Sequence, residues 1–346
     1  MRFQKHLFIA ISFLLLSTCL SGCSGIKGYF EKSPININIK KKKLILEKEV
    51  DIKIPGNPWG ISIDTEKARA YVVCNSGNYV AVVDLSGKKI LHKIDVGSGP
   101  WESAFDRRRN RLYVTNGDNG SISIIDLETK KETMEVKTGG QLPFDVAYGE
   151  NRDEIYVANS DSDSLSIIDG EKLELKKEVK VGDYPYSVAV DEISRRVFVS
   201  NNFDGTLSIV DPEKGLQEKN VGPLGSLSGI TIENLKQQIY IAGTGANRIL
   251  VYRDTDMKLS DIKQTPERPI DVCVDEKYGY IYAIHREKGI LTVYSPDHKK
   301  YAATARVKVG EEPVRVVVDP VHSLIITVNN KSNSISLIRY RLESGK

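Results

Sequence analysis

Pro185-Tyr186-Ser187-Val188-Ala189-Val190, followed eight residues later by Phe198-Val199-Ser200-Asn201, is the stretch on which the fold turns. Its form is proline, two variable residues, then apolar, small, apolar. That phrase returns at Pro58, Pro100, Pro143, Pro269 and Pro313. Leu227 stands where a further proline is due, and Ile230-Thr231-Ile232 follows it on schedule. The spacings are 42, 43, 42, 42, 42 and 44 residues, so the chain carries seven copies of one unit.

Two further markers hold this register. Thirteen residues after each anchor stands a large apolar residue: Tyr71, Tyr113, Tyr156, Phe198, Tyr240, Tyr282 and Ile326. Thirteen further on, the first four copies carry Asp84, Asp126, Asp169 and Asp211, and the last three carry Arg253, Ser295 and Arg339. In the fourth copy, strands are expected at 187–190, 196–200 and 206–210, with a weaker one before Val221-Gly222. Turns such as Asn119-Gly120 and Asp204-Gly205 use residues that tolerate positive φ. Four short strands per period of about 40–45 residues is the arithmetic of a β-propeller, in which radial stacking buries both faces of each sheet. The residue between the apolar pair is small or β-branched in every copy (Ser62, Ala104, Ala147, Ala189, Thr231, Cys273, Val317), as innermost strands converging on an axis require.

The seventh copy supplies three strands and then the chain ends. Residues 49–54, Glu-Val-Asp-Ile-Lys-Ile, followed by Gly56 and Pro58, parallel Leu91-His92-Lys93-Ile94-Asp95-Val96, followed by Gly97 and Pro100. The expected fold is therefore all-β: a single seven-bladed β-propeller of four-stranded blades over residues 44–341, closed by an N-terminal strand in the last blade, with residues 342–346 as a tail. Closure of this kind removes exposed sheet edges.

Tyr113-Val114-Thr115-Asn116 is the tetrapeptide that names the YVTN β-propeller repeats, and the chain resembles that family over residues 46–340. Tyr156-Val157-Ala158-Asn159 and Phe198-Val199-Ser200-Asn201 are close variants, and Tyr71-Val72-Val73-Cys74 is looser. Copy five departs with Gly243 at the Asn position, and copy six with His285. The resemblance implies an exported or surface protein with a binding or scaffold role. It supplies no activity, because related propellers include enzymes.

The N-terminus agrees with export. Arg2 and Lys5 precede an apolar run, Leu7 to Leu16, and then Leu20-Ser21-Gly22-Cys23. This is the layout of a secretory signal, with an apolar core too short to span a bilayer comfortably. The tetrapeptide resembles the lipobox of bacterial lipoproteins, which implies cleavage of residues 1–22, lipidation of Cys23, and an anchor and linker over residues 23–43. The protein is thus expected outside the cytoplasm, held to the cell membrane. Lys40-Lys41-Lys42-Lys43 falls in this linker and is expected to be solvated. Cys74 and Cys273 lie far apart in the repeat and are expected as core residues.

Loss of Arg2 and Lys5 from the 49 Lys and Arg leaves 47, against 46 Asp and Glu. A near-neutral chain has no electrostatic footprint for nucleic acid, and a monomer is expected. His92, His285, His298 and His322 share no repeat position, and Asn159-Ser160-Asp161-Ser162-Asp163 lacks the glycine and glutamate of a calcium loop. No phosphate loop or haem-attachment motif is present, so neither a cofactor nor a metal is expected.

In the propellers that this chain resembles, the funnel mouth collects the start of each inner strand. The first position after the anchor reads Trp59, Trp101, Phe144, Tyr186, Ser228, Ile270 and Val314, and the next Gly60, Glu102, Asp145, Ser187, Gly229, Asp271 and Arg315. Nearby loops place Asp118, Asp161, Asp163 and Asp204 in copies two to four, and Arg248, His285, Arg286, Lys288 and Lys331 in copies five to seven. The ligand-binding candidates are Trp59, Trp101, Glu102, Asp145, Tyr186, Asp271, His285 and Arg315, facing a small polar ligand or a protein partner. No catalytic set is assigned. A hydrolase or lactonase, the enzymatic alternative, would use Glu102, Asp145 or Asp271 with His285 and Arg315. A third possibility is an accessory role in a redox or envelope-assembly system through a blade edge or rim.

Overall fold

Each blade is a four-stranded antiparallel sheet, and in six of the seven the inner strand starts at the anchor. The computed structural model describes residues 42–296 and 303–344. The expected signal sequence, Cys23, most of the linker and His298 lie outside the described residues. Blade 1 comprises Pro58–Asp64, Arg69–Cys74, Tyr79–Asp84 and Lys89–Asp95. Blades 2, 3, 4 and 6 likewise start at Pro100, Pro143, Pro185 and Pro269. Proline fits there because the first residue of a strand has no ladder bond to lose. In blade 5 the inner strand shortens to Ile230–Glu233, and Leu227 fills the anchor's place as a fully buried side chain.

Seven hydrophobic clusters hold the blades together, one at each junction. Alternate side chains of one strand feed opposite junctions. Tyr156 and Ala158 face blade 4, while Val157 faces blade 2. This double burial is why the middle strands read as unbroken apolar runs. The residue thirteen after each anchor always joins the cluster shared with the following blade: Tyr71, Tyr113, Tyr156, Phe198, Tyr240, Tyr282 and, in blade 7, Ile326. The aspartates thirteen further on organise turns. Asp84, Asp126, Asp169 and Asp211 each accept two backbone N–H groups from the residues two and three ahead.

Blade 7 consists of Pro313–Asp319, Leu324–Asn329, Ser334–Ser344 and, as its outer strand, Lys42–Lys53. The N-terminal strand therefore closes the ring. The pairing runs from Lys53↔Ser334 to Lys42↔Ser344, with an irregularity between Lys48 and Val50. It passes the expected limits of 44 and 341 at both ends, so residues 342–344 are strand rather than tail. Leu44, Leu46 and Leu342 pack against the cluster shared by blades 6 and 7, which explains the extension. In every blade the anchor end of the inner strand marks one face of the ring, the mouth face.

Candidate ligand-binding face

The first residues after the anchors form a continuous arc of rings. Trp59 and Trp101 meet edge to face with centroids 4.9 Å apart, Trp101 and Phe144 are 4.9 Å apart, and Phe144 and Tyr186 are 4.8 Å apart. Ser228, Ile270 and Val314 complete the circle without a ring. Four repeats place an aromatic on one side of the axis, and edge and tilted contacts of this kind add to the area they bury.

The next position carries the charges. Glu102, Asp145, Asp271 and Arg315 are all buried, each no more than 7% exposed. The carboxylates staple inner strands together. Glu102 Oε1 accepts the N–H of Ser103 in its own strand (3.0 Å) and of Ile61 in blade 1 (2.8 Å). Asp145 accepts from Val146 (2.9 Å) and from Val188 of blade 4 (3.0 Å). Asp271 accepts from Val316 of blade 7 (2.9 Å). Glycine at the same repeat position makes room: a Cβ on Gly60 would collide with the Glu102 carboxylate, and one on Gly229 with that of Asp271.

Arg315 reaches across the mouth. Its Nε donates to Glu102 Oε2 at 2.5 Å, and its guanidinium lies 5.6 Å from the Tyr186 ring centroid. Burial pushes the Glu102 pKa up to about 7, because desolvation outweighs the attraction of Arg315 and Asp145 adds repulsion. Burial likewise pushes Asp271 up to about 6. For Arg315, burial works against the charge, but Glu102 and Asp271 more than offset it and hold its pKa well up. Glu102 and Arg315 thus form a buried ion pair at the mouth. Stripping one partner from a buried pair leaves an uncompensated charge.

His285 is also corrected. It does not open onto the mouth but is fully buried inside blade 6. Its Nε2 pairs with Thr292 Oγ1 at 2.8 Å and its Nδ1 with the Glu267 carbonyl at 3.1 Å, and burial lowers its pKa to about 4. Asn116, Asn159, Asn201 and Asn329 do the same work in their blades. Each donates Nδ2 to the Ser or Thr hydroxyls five and seven residues ahead.

The position after that Asn stitches consecutive blades. Asn75, Ser160, Asn202, Thr244 and Asn330 donate side-chain hydrogen bonds to the carbonyls of Pro100, Pro185, Leu227, Pro269 and Pro58. Two junctions lack the stitch. At Gly117 a Cβ would lie 2.5 Å from Trp101 Nε1, so glycine accommodates the indole. Arg286 instead turns outward, pairs with Glu312 Oε2 (2.7 Å from Nη2), and lies 5.6 Å from the Trp59 ring centroid.

Beside Arg286 opens a basin of about 760 Å³ on blades 5 to 7, floored by Thr244, Ile270 and Val309 and lined by Arg268, Arg286, Lys288, Lys308 and Lys331 with Glu287, Glu311 and Glu312. Arg286, Lys288 and Lys331 belong to the basic half-rim read from the sequence. Arg268 and Lys308 were not singled out: one precedes an anchor and the other ends the outer strand Ala305–Lys308, where the repeat has no marker. The acidic half-rim serves its own loops. Asp204 accepts from Thr206 N (3.0 Å), Asp163 from Tyr184 N (2.9 Å), and Asp118 from Ser98 Oγ (2.9 Å). Cys74 is buried and Cys273 half-buried, both as free thiols. Among the described residues, no three His, Cys, Asp or Glu side chains are grouped to hold a metal ion.

Fold and face together define a seven-bladed β-propeller with an aromatic, charge-stapled mouth. A family model described as the cytochrome D1 heme domain matches residues 106–229, about a third of the chain. Hydrazine synthase of Kuenenia stuttgartiensis superposes with a TM-score of 0.74 at 19% identity, over 90% of this chain and 99% of that one. At that identity the likeness shows the fold alone. No curated protein matches the sequence. The side chains here do not fit an iron macrocycle. Aromatic rings pack across the mouth, and no described His, Met or Cys lines the basin.

Proposed function

We propose that this protein is an exported YVTN-type propeller lipoprotein, tethered to the membrane through lipidated Cys23, that serves as a binding module on its mouth face. One observation carries the binding part. Trp59 Nε1 and Trp101 Nε1 are buried at the mouth without hydrogen-bond partners. Buried polar groups left unpaired are costly, so such a set is explained by water or by a ligand that meets them. Against catalysis, the carboxylates hold blades together through backbone N–H groups, and His285 is turned inward as a neutral structural group. The lipobox-like Leu20-Ser21-Gly22-Cys23 supports the anchor.

Trp59 and Trp101 are the sole tryptophans of the chain, so its intrinsic fluorescence reports on the mouth. A screen of small acids, sugars and short peptides should yield a ligand that shifts tryptophan emission and raises the Tm without being consumed. Turnover of a hit, abolished by Glu102→Gln, would overturn the binding reading in favour of an enzyme. Cys23→Ser should release the protein from the membrane fraction. A processed Cys23→Ser protein that still sediments with membranes would refute the anchor.

A further inference from the structure

We propose that the mouth face carries a second site beside the axial cluster, the basin over blades 5 to 7, which takes a small organic anion bearing at least two carboxylate groups. The inference rests on the binding-module reading and adds a site and a ligand class to it. The basin has the size of a small-molecule site, with Ile270 and Val309 among the charged side chains of its lining.

Its charges favour an acid. Five cations line it against three carboxylates. Lys288 is already paired, at 3.2 Å, with the largely buried carboxylate of Glu267, whereas the other three pairs are shared with solvent. Arg268–Glu287 (3.6 Å) and Lys331–Glu311 (3.5 Å) have side chains more than half exposed, and Arg286–Glu312 is more than a third exposed. Ion pairs of this kind are weak and exchangeable, so a ligand carboxylate can replace the protein's own. Lys308 is exposed and has no ion-pair partner among the described residues. The cations stand on separate segments: Arg268 before the blade 6 anchor, Lys288 and Lys331 on hairpins, and Lys308 at the outer strand. That spread across a volume of about 760 Å³ suits an anion with separated acid groups better than a single small carboxylate.

A second observation points to the same place. Arg286 occupies a position that carries a short polar stitch in five of the seven blades, and it gives up that bond to lie between the basin and Trp59. Where a repeat protein breaks its own local rule, a functional site is one expected reason. The contact with Trp59 also couples occupancy of the basin to an optical signal.

The test is titration of the full propeller with citrate, succinate, acetate and inorganic phosphate at low and high salt, followed by calorimetry and tryptophan emission. Citrate should bind more tightly than succinate and acetate should bind least, with affinity falling as salt rises. Arg268→Glu and Lys308→Glu should each weaken citrate by about tenfold or more while leaving the melt unchanged. The emission change should vanish in Trp59→Phe and persist in Trp101→Phe. Citrate binding that ignores both charge reversals but is lost in Arg315→Lys overturns the basin and leaves the binding module standing. Absence of heat with every anion, or acetate binding as tightly as citrate, overturns the ligand class. Chemical conversion of citrate would overturn the binding module itself.

Discussion

Blades 3 and 6 solve one problem in two ways. In blade 3, Asn159 bonds two serine hydroxyls inside the sheet and Ser160 stitches to blade 4. In blade 6 the corresponding residues are His285 and Arg286. The histidine keeps the inward duty with different chemistry, using Thr292 as its partner. The arginine abandons the outward duty and goes to the surface. A departure from a repeat consensus thus has two meanings, and only the destination of the hydrogen bonds tells them apart. One is substitution within a structural role, and the other is release from it.

The largest test concerns closure, which blade 3 achieves within its own repeat and blade 7 only with the N-terminus. Deleting residues 42–55 removes the outer strand of blade 7 and bares the Ser334–Ser344 edge. We expect aggregation and loss of a cooperative melt. Deleting residues 24–41 should leave the melt where it is. Equal stability of the two truncations, read by circular dichroism and gel filtration, would refute closure as the source of ring stability.

The next effect separates the axial charges from the basin charges. Arg315→Ala strands three buried carboxylates and should cost about 3–5 kcal/mol, read as a drop in the urea midpoint. Lys308→Ala, on the surface, should stay within about 0.5 kcal/mol. If the two cost the same, the axial cluster is not a structural staple.

The blade 3 and blade 6 contrast itself predicts that Asn159→Ala costs about 1–3 kcal/mol, by removing the buried hydrogen bonds to Ser164 and Ser166. His285→Asn restores the consensus and should cost less than about 1 kcal/mol. The pH dependence sharpens this. His285 is held near 4 against an ordinary 6.5, so between those values the unfolded chain takes up the proton and the folded one does not. Its contribution is lost as pH falls from 6.5 towards 4. Glu102 has the opposite sign. With a folded value of about 7 against 4.5, it keeps a proton that the unfolded chain releases, and stability drops as pH rises through that window. Melts across pH 4–8 should therefore show a flatter acid limb in His285→Asn and a flatter neutral limb in Glu102→Gln. An unchanged acid limb in His285→Asn would mean that this histidine is not buried neutral.

Much of this was legible in the chain. The 42–44-residue period fixed seven blades, and the homology between residues 49–54 and 91–96 identified the closing strand. The strand's true ends were not, because pairing beyond the ring depends on Leu44, Leu46 and Leu342 finding blade 6, a contact that no repeat offset encodes. Repeat position alone also gathered Trp59, Trp101, Glu102, Asp145, Tyr186, Asp271 and Arg315 on one face. Repeat position did not show that the charges are buried, because their exposure depends on neighbouring blades. Gly60 and Gly229, at the same offset, were the available sign that the carboxylates fold inward. For His285 the sign was Thr292, seven residues ahead, where Ser123, Ser166, Ser208 and Ser336 answer the asparagines.

The closing strand also sets the timing of folding. Asp51 and Ser336 share a hydrogen bond although 285 residues separate them. The entropic cost of so long a loop grows only logarithmically, so the penalty falls on rate more than on stability. A chain made from its N-terminus releases Lys42–Lys53 first and Ser334–Ser344 last, and the earliest strand waits for the latest. Any product cut short before residue 334 holds an unpaired strand and an open ring.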